Sequence, residues 1–379
     1  MLFEIMKYVP GENYLEEQPH FDSHSVVDTF DSAVWCRRYD SPGDFVLKIQ
    51  ASDELFSLVK NNTVLIRRLD AEDGTAMLVD NVVLETSPDN GDFLTLSGES
   101  LEAVLGRRVF MQKYNLRGKP DNVIYTALKE NILNYWYFNS DSQHIANYRY
   151  RFINFLDMDG FQRMGGADII AQLYGRNLLE LTEEIAKAND FGFKFRFVGG
   201  LNRAYFSCYR GVDRTINQQN TQQIVFNTEF AEFAKTSYSY DTTTYFNSAL
   251  IGGEGYGMDR KDTIYSSSTR VNAGLLNKEI FIDGHSISSN SAGDTSYITL
   301  LGSTAQESVQ AAKAEETFDT EVSWAQWKYR DDYDVGDIVT VGNNYGITGD
   351  ATVAEVAETE DASGYYAVPG FRVRSLYKN

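Results

Sequence analysis

Four histidines, His20, His24, His144 and His285, and two cysteines, Cys36 and Cys208, are the side chains of this sequence best suited to hold a metal or carry nucleophilic chemistry. His20 and His24 have the four-residue spacing that would bring two imidazoles to one helix face. Pro19, Phe21, Asp22 and Ser23 around them do not read as helix, and no H-E-x-x-H motif occurs. The two cysteines lie far apart and are too few for a disulfide framework, so both are read as free thiols in apolar strands. A P-loop, a dinucleotide-binding glycine turn and a nucleophile elbow are all missing. Asp157-Met158-Asp159-Gly160 has the look of a calcium loop, but the first and twelfth ligand positions would fall on Phe155 and Gly166, neither of which supplies a carboxylate. No metal and no cofactor is therefore expected.

Carboxylates are the remaining source of chemistry. Asp and Glu number 54, and glycoside hydrolysis needs only two acids at a suitable separation. Glu183 with Glu184, and Asp331 with Asp332, are adjacent in sequence, and adjacent side chains diverge on a helix or a strand. A solvated acidic face is the plainer reading, and no spacing demands a catalytic site, so the chain is expected not to be an enzyme. Trp136, Trp324 and Trp327 would serve a rival reading as sugar-stacking platforms, with core packing as the ordinary use of such rings.

The elements that would position these residues are mainly β. With 379 residues the chain exceeds one ordinary core. Hydrophobic residues at 42% and charged residues at 23% predict packed interiors rather than disorder. Lys and Arg total 34 against 54 acids, a net charge of -20 that repels phosphate and disfavours tight nucleic-acid binding through counterion release. The opening residues lack the basic and apolar regions of a secretory signal, and no window has the roughly 20 apolar residues of a membrane span, so synthesis in the cytosol is expected.

Val26 to Gln50 reads as two strands joined by Asp40-Ser41-Pro42-Gly43-Asp44. Thr63 to Leu69, Ala76 to Thr86 and Phe93 to Leu96 continue a β-meander. Ser100 is expected to cap a short helix over Leu101 to Leu105, and a second helix starts near Pro120. The clearest helix runs from Asn177 to Asn189 and is expected to end at Gly192. Phe191 to Val198 and Tyr205 to Tyr209 read as a hairpin. Strand texture returns from Gln223, interrupted by a mobile loop over Ser286 to Thr295 and a short helix from Ser303 to Glu315 capped by Ser303. Asp319 to Trp324 and Asp337 to Val341 close the chain as strands. The expected class is α+β, mainly β, with two β-barrel-like tube domains, 1–110 and 223–379, flanking a mixed α/β region, 111–222, the borders being simplified if later segments return to complete an earlier barrel.

Several fragments occur together in one order. They are Gly98-Glu99-Ser100-Leu101 to Gly106-Arg107-Arg108-Val109, then Tyr238 to Gly255 followed by Arg260, then Asn277-Lys278 to Asp283, and Tyr333-Asp334-Val335-Gly336-Asp337 to Val341. In this order the chain resembles the tail-hub, or tail-associated, structural proteins of long-tailed bacteriophages, related in fold to the baseplate hub of contractile phages. Asn277-Lys278 departs from the two basic residues expected there. The resemblance implies structural rather than catalytic roles for Arg107, Arg108, Asn247, Gly252, Gly253, Arg260, Asp334, Gly336 and Asp337.

It also implies a virion tail-tip protein made in the host cytoplasm. Its expected form is a homotrimeric ring of pseudo-sixfold symmetry that abuts a hexameric distal tail protein. The tape measure protein and receptor-binding or tail-fibre proteins are the other expected neighbours. An appended lytic domain is not expected. An acidic lumen would let DNA pass without specific binding. The alternatives are a glycan-binding or glycan-hydrolysing tail protein, and a hub from a related contractile injection particle.

Overall fold

The computed structural model describes residues 1–10, 19–89, 91–111, 114–133, 151–159, 163–227, 231–267, 274–289, 293–312, 314–342 and 348–376. Trp136 and His144 lie outside them, as does Gly160 of the calcium-like run, and the Trp324 side chain is likewise not described.

The N-terminal meander contains β1 (Phe3–Val9), β2 (His20–Val27), β3 (Ser32–Arg38), β4 (Asp44–Gln50), α1 (Asp53–Asn61), β5 (Val64–Arg68), β6 (Ala76–Glu85) and β7 (Phe93–Ser100). Pro42 and Gly43 turn β3 into β4, as the composition predicts. Alternation in β4 sends Phe45, Leu47 and Ile49 inward, where they meet Phe3, Ile5 and Trp35. Helix α1, absent from the sequence reading, is capped by Ser52, whose Oγ accepts the Leu55 amide at 3.2 Å, with Asp53 and Glu54 at the positive end of the helix dipole.

The middle region opens with a 3-10 helix, Leu101–Arg107. Ser100 does not cap it; its Oγ accepts the Gly43 amide at 2.8 Å and ties β7 to the β3–β4 turn. There follow β8 (Asn115–Gly118), α2 (Pro120–Asn131), β9 (Leu156–Met158), β10 (Ile169–Gln172), α3 (Leu178–Asn189), β11 (Gly192–Val198) and β12 (Arg203–Tyr209). Asn177 caps α3, accepting the amides of Leu179 at 2.9 Å and Glu180 at 3.4 Å. The helix ends at Asp190, in the left-handed region at φ 57°, and not at Gly192. Gly192 starts β11, where a Cβ would stand 2.4 Å from the Tyr39 ring.

The C-terminal part comprises β13 (Val225–Phe226), β14 (Ala231–Asp241), β15 (Ser248–Gly252), β16 (Asp262–Ser266), β17 (Glu279–Asp283), α4 (Asp294–Ala311), β18 (Glu315–Ala325), β19 (Ile338–Gly342), β20 (Thr348–Asp361) and β21 (Gly364–Leu376). Helix α4 corrects the predicted short helix from Ser303. Ser303 lies inside it and donates to the Thr299 carbonyl at 3.1 Å, so the capping-box spacing there is incidental. Ile287, within the predicted mobile loop, is buried against the helix.

Mainly β architecture with a minority of helix is observed. Two closed barrels are not: one 13-stranded sheet runs β14-β18-β21-β20-β3-β4-β7-β6-β5-β1-β2, with β13 and β19 branching from it, and among the described strands the path stays open. The β20–β21 hairpin joins its halves. Its first part pairs with β19 (Ile338 opposite Thr352), its second with β3 (Glu355 opposite Arg38), and a register shift between Val353 and Glu355 marks the change of partner. Strands β16, β15 and β17 form a separate small sheet, with α4 packed on one face. Among the described residues no helix is long and apolar enough to cross a membrane.

Gly253 fixes the fit of that small module. A Cβ there would meet the Tyr297 hydroxyl at 2.3 Å and Leu301 Cδ1 at 2.8 Å, while the same hydroxyl accepts the Glu254 amide and donates to the Ile287 carbonyl, both at 2.7 Å. Gly253→Ala is expected to cost about 1–3 kcal/mol of module stability. Hydrogen exchange should rise in β15–β17 and stay unchanged in β3–β7; equal protection in both would contradict the assignment.

Candidate functional site

The Asp334, Gly336 and Asp337 turn lies where the two ends of the chain meet. Asp337 accepts the Val212 amide at 2.7 Å, Arg214 Nε at 2.7 Å and the Asp334 amide at 3.1 Å. Gly336 adopts φ 95°, and its α-carbon faces the Tyr39 ring, which a Cβ would approach to 2.5 Å. A non-glycine residue would suffer both the left-handed backbone and the clash.

Asp334, itself half exposed, opens a line of charges that is buried at Arg37, Asp73, Glu358 and Arg68. Arg37 Nη1 reaches Asp334 at 2.9 Å, Tyr329 Oη at 2.7 Å and Asp73 Oδ2 at 3.3 Å. Arg330 bridges Asp73 at 3.0 Å and Glu358 at 2.8 Å, and Arg68 links Glu358 at 3.3 Å to Asp70 at 2.7 Å. Tyr365 donates to Glu358 at 2.8 Å. The network therefore ties β3, the β5–β6 connection, the turn before β19, and the β20–β21 hairpin into one unit. Burial would raise Asp73, but Arg37 and Arg330 outweigh it and hold the carboxyl below its ordinary range. At Asp70 the burial effect is likewise overcome, by Arg68, and its value falls to about 2.

Sequence reasoning singled out the turn and missed Arg37, Arg68, Asp73, Arg330 and Glu358. A signal was present: both VWCRRY and VLIRRL place paired arginines in an otherwise apolar strand run, where a buried cation requires a partner.

Asn247, Gly252, Gly253 and Arg260 gather in the small module. Asn247 donates to the Leu276 carbonyl at 3.1 Å and accepts the Lys278 amide at 3.0 Å. Arg260 donates to the Gly252 carbonyl at 2.8 Å and the Gly253 carbonyl at 3.1 Å and pairs with Asp283. Its guanidinium fills the space a Gly252 Cβ would need. Arg107 pairs with Asp80 at 2.9 Å on the surface, and Arg108 donates to the Arg151 carbonyl at 2.9 Å. The predicted residues thus occupy three places rather than one.

The chemistry-bearing residues do not converge. His20 and His24 lie on β2, beside Asp22 at 3.2 Å and Glu54 at 3.7 Å, and no cluster of His, Cys, Asp and Glu able to hold a metal occurs among the described residues. Cys36 and Cys208 are free and buried in β3 and β12, and burial pushes the Cys36 thiol up to about 12. Glu184 pairs with Arg176, and Asp332 accepts the Lys328 amide at 2.8 Å. Trp327 donates to the Val225 carbonyl at 2.8 Å and packs on the C-terminal core.

Glu307 is a buried acid where α4 meets α3. It is 8% exposed, and its Oε1 has no hydrogen-bond partner among the described residues. Burial, with Glu184 adding to it and Arg176 opposing, pushes it up to about 8. The folded state therefore holds a proton that the unfolded chain releases above its ordinary value of 4.5, so the contribution of this site to stability falls as pH rises from about 4.5 to about 8. Glu307→Leu is expected to gain roughly 3 kcal/mol at pH 7, with no gain below pH 4. Thermal unfolding across pH checks this; a gain independent of pH would contradict it.

Comparison with known proteins bears on the whole fold. The model of the Siphovirus ReqiPepy6 Gp37-like protein family matches residues 18–369. No curated protein sequence matches the chain. Among solved structures, the 43 kDa tail protein of prophage MuSo2 from Shewanella oneidensis is similar at TM-score 0.52 and 11% identity, covering 97% of this chain and 98% of that one. A tail protein from Neisseria meningitidis MC58 is similar at TM-score 0.50 and 11% identity, covering 98% and 96%.

Proposed function

We propose that this chain, which belongs to the Siphovirus ReqiPepy6 Gp37-like family and so to a phage tail-associated family, is a structural hub of the tail tip. Three copies close a ring that continues the tail tube. The ring abuts a hexameric distal tail protein, receives the tape measure protein from within, and carries receptor-binding or tail-fibre proteins. Each subunit supplies two β modules, about 1–110 and 223–379, beside a mixed region, 111–222, giving pseudo-sixfold symmetry. The observation that carries this reading is the family match along 18–369, supported by the β20–β21 hairpin that fastens the two β regions side by side.

Arg107, Arg108, Asn247, Gly252, Gly253, Arg260, Asp334, Gly336 and Asp337 hold this shape rather than act on a substrate. The net charge of -20 suits a conduit wall along which DNA slides without being bound. No catalysis is assigned to the chain, and Trp327, engaged with Val225, is committed to packing.

Quantitative mass spectrometry of purified tails, with antibody labelling of the chain, tests the assignment. Three copies per tail at the end away from the head are expected; copies distributed along the tube would overturn it. The purified chain is expected to release no sugar from host envelope polysaccharide or peptidoglycan. Turnover abolished by changing one carboxylate would move the assignment to a glycan hydrolase.

A further inference from the structure

Among the described residues, the small β15–β17 sheet is covered on one face only. Ala249 and Ile251 of β15 are buried against Tyr297, Leu301 and Ala305 of α4. On the opposite face a half-solvated sheet ordinarily alternates to polar residues. Here Leu250 stands in register with Ile264 on β16 and with Phe281 on β17, so three large apolar side chains form one row across the sheet. Their exposures are 40%, 61% and 55%. Single exposed apolar residues are ordinary, but a contiguous cross-strand row marks a surface that another molecule covers.

The rim of this row selects the partner. Gly252 lies opposite Asp262 and Asp283 in the next row on the same face, and Ser248 lies opposite Ser266 and Glu279 in the row on the other side. Beside them Arg260 pairs with Asp283 and lies 5.4 Å from the centre of the Phe281 ring. Asp259, Asp262 and Glu279 are exposed, so among the described residues the rim is acidic. A second copy of a chain with net charge -20 is a poor match for that rim, whereas a segment with apolar residues flanked by Lys and Arg complements both the row and its border.

We propose that the outer face of the β15–β17 sheet docks a different tail protein, through a basic-flanked apolar segment laid across Ile264, Leu250 and Phe281. This surface goes beyond the ring contacts of the hub but rests on the chain being a tail component.

The test uses tails assembled with Leu250→Cys, the two native cysteines being buried. Maleimide labelling of the introduced thiol is expected to be at least tenfold slower in assembled tails than in the free chain. Ile264→Cys repeats the measurement should the first substitution disturb β15. A photo-crosslinking residue at Phe281 is expected to capture a Lys- and Arg-rich peptide of another polypeptide. Equal labelling in both states, or a crosslink to a second copy of this chain or to an acidic peptide, would overturn the proposal while leaving the hub reading intact. Absence of the chain from purified tails would overturn the hub reading and this surface together.

Discussion

Arg37→Met is expected to destabilise the junction between the two ends of the chain by about 3–5 kcal/mol, because it leaves Asp73 and Asp334 without a cation they share. The Arg37 and Asp73 side chains are close to fully buried, so the surviving carboxylate at Asp73 would keep its desolvation cost with Arg330 as its remaining cation. The effect should be local. The Tyr39 amide, which donates to the Ala354 carbonyl at 2.9 Å, reports opening of the β3–β20 seam, and its hydrogen exchange should accelerate by two orders of magnitude or more. Amides in β15–β17 should not change.

The same network gives the junction a defined acid limit. Asp70 and Asp73 both titrate below their ordinary range, so their stabilisation is complete above about pH 4 and is lost as pH falls towards 2. Seam amides in the parent chain should lose protection through that window.

Asp337→Ala is expected to cost about 3 kcal/mol, since it leaves the amides of Val212 and Asp334 and the Arg214 guanidinium without their shared acceptor. Asp337→Asn keeps the acceptor oxygen and loses the charge, and should recover about half of the loss. Protection of the Ile338 amide, which donates to the Val212 carbonyl at 2.9 Å, separates the two variants. Identical exchange in Asp337→Ala and the parent would show that the turn does not hold the middle region to the C-terminal strands.

Local signals in the sequence reached the hairpin turns, the helix from Asn177 to Asn189 and the Asp334 to Asp337 turn, because each is set by residues a few positions apart. Helix α1 has a legible start in Ser52, Asp53 and Glu54, but at nine residues between two strand runs its periodicity is short. Helix α4 was shortened for a physical reason. Thr299, Ser303, Thr304 and Ser308 satisfy their hydroxyls on carbonyls one turn back, so a polar composition that reads as loop forms a continuous helix against Ala249 and Ile251.

The strand order was not legible. Pairing of β20 with β3 joins residues such as Glu355 and Arg38, which no local period connects. For the same reason Asp334 was singled out without its partner: Arg37 lies 297 positions away. The open sheet follows from this pairing, which uses the C-terminal hairpin as a bridge where two separate barrels had been expected.

A reconstruction of the assembled tail tip at side-chain resolution separates a ring-forming hub from a peripheral tail protein. Three subunits about one axis are expected, each placing its N-terminal and C-terminal β regions side by side around a pore whose charged lining is mostly Asp and Glu. A lone subunit off the axis, or a pore lined mainly by Lys and Arg, would contradict it.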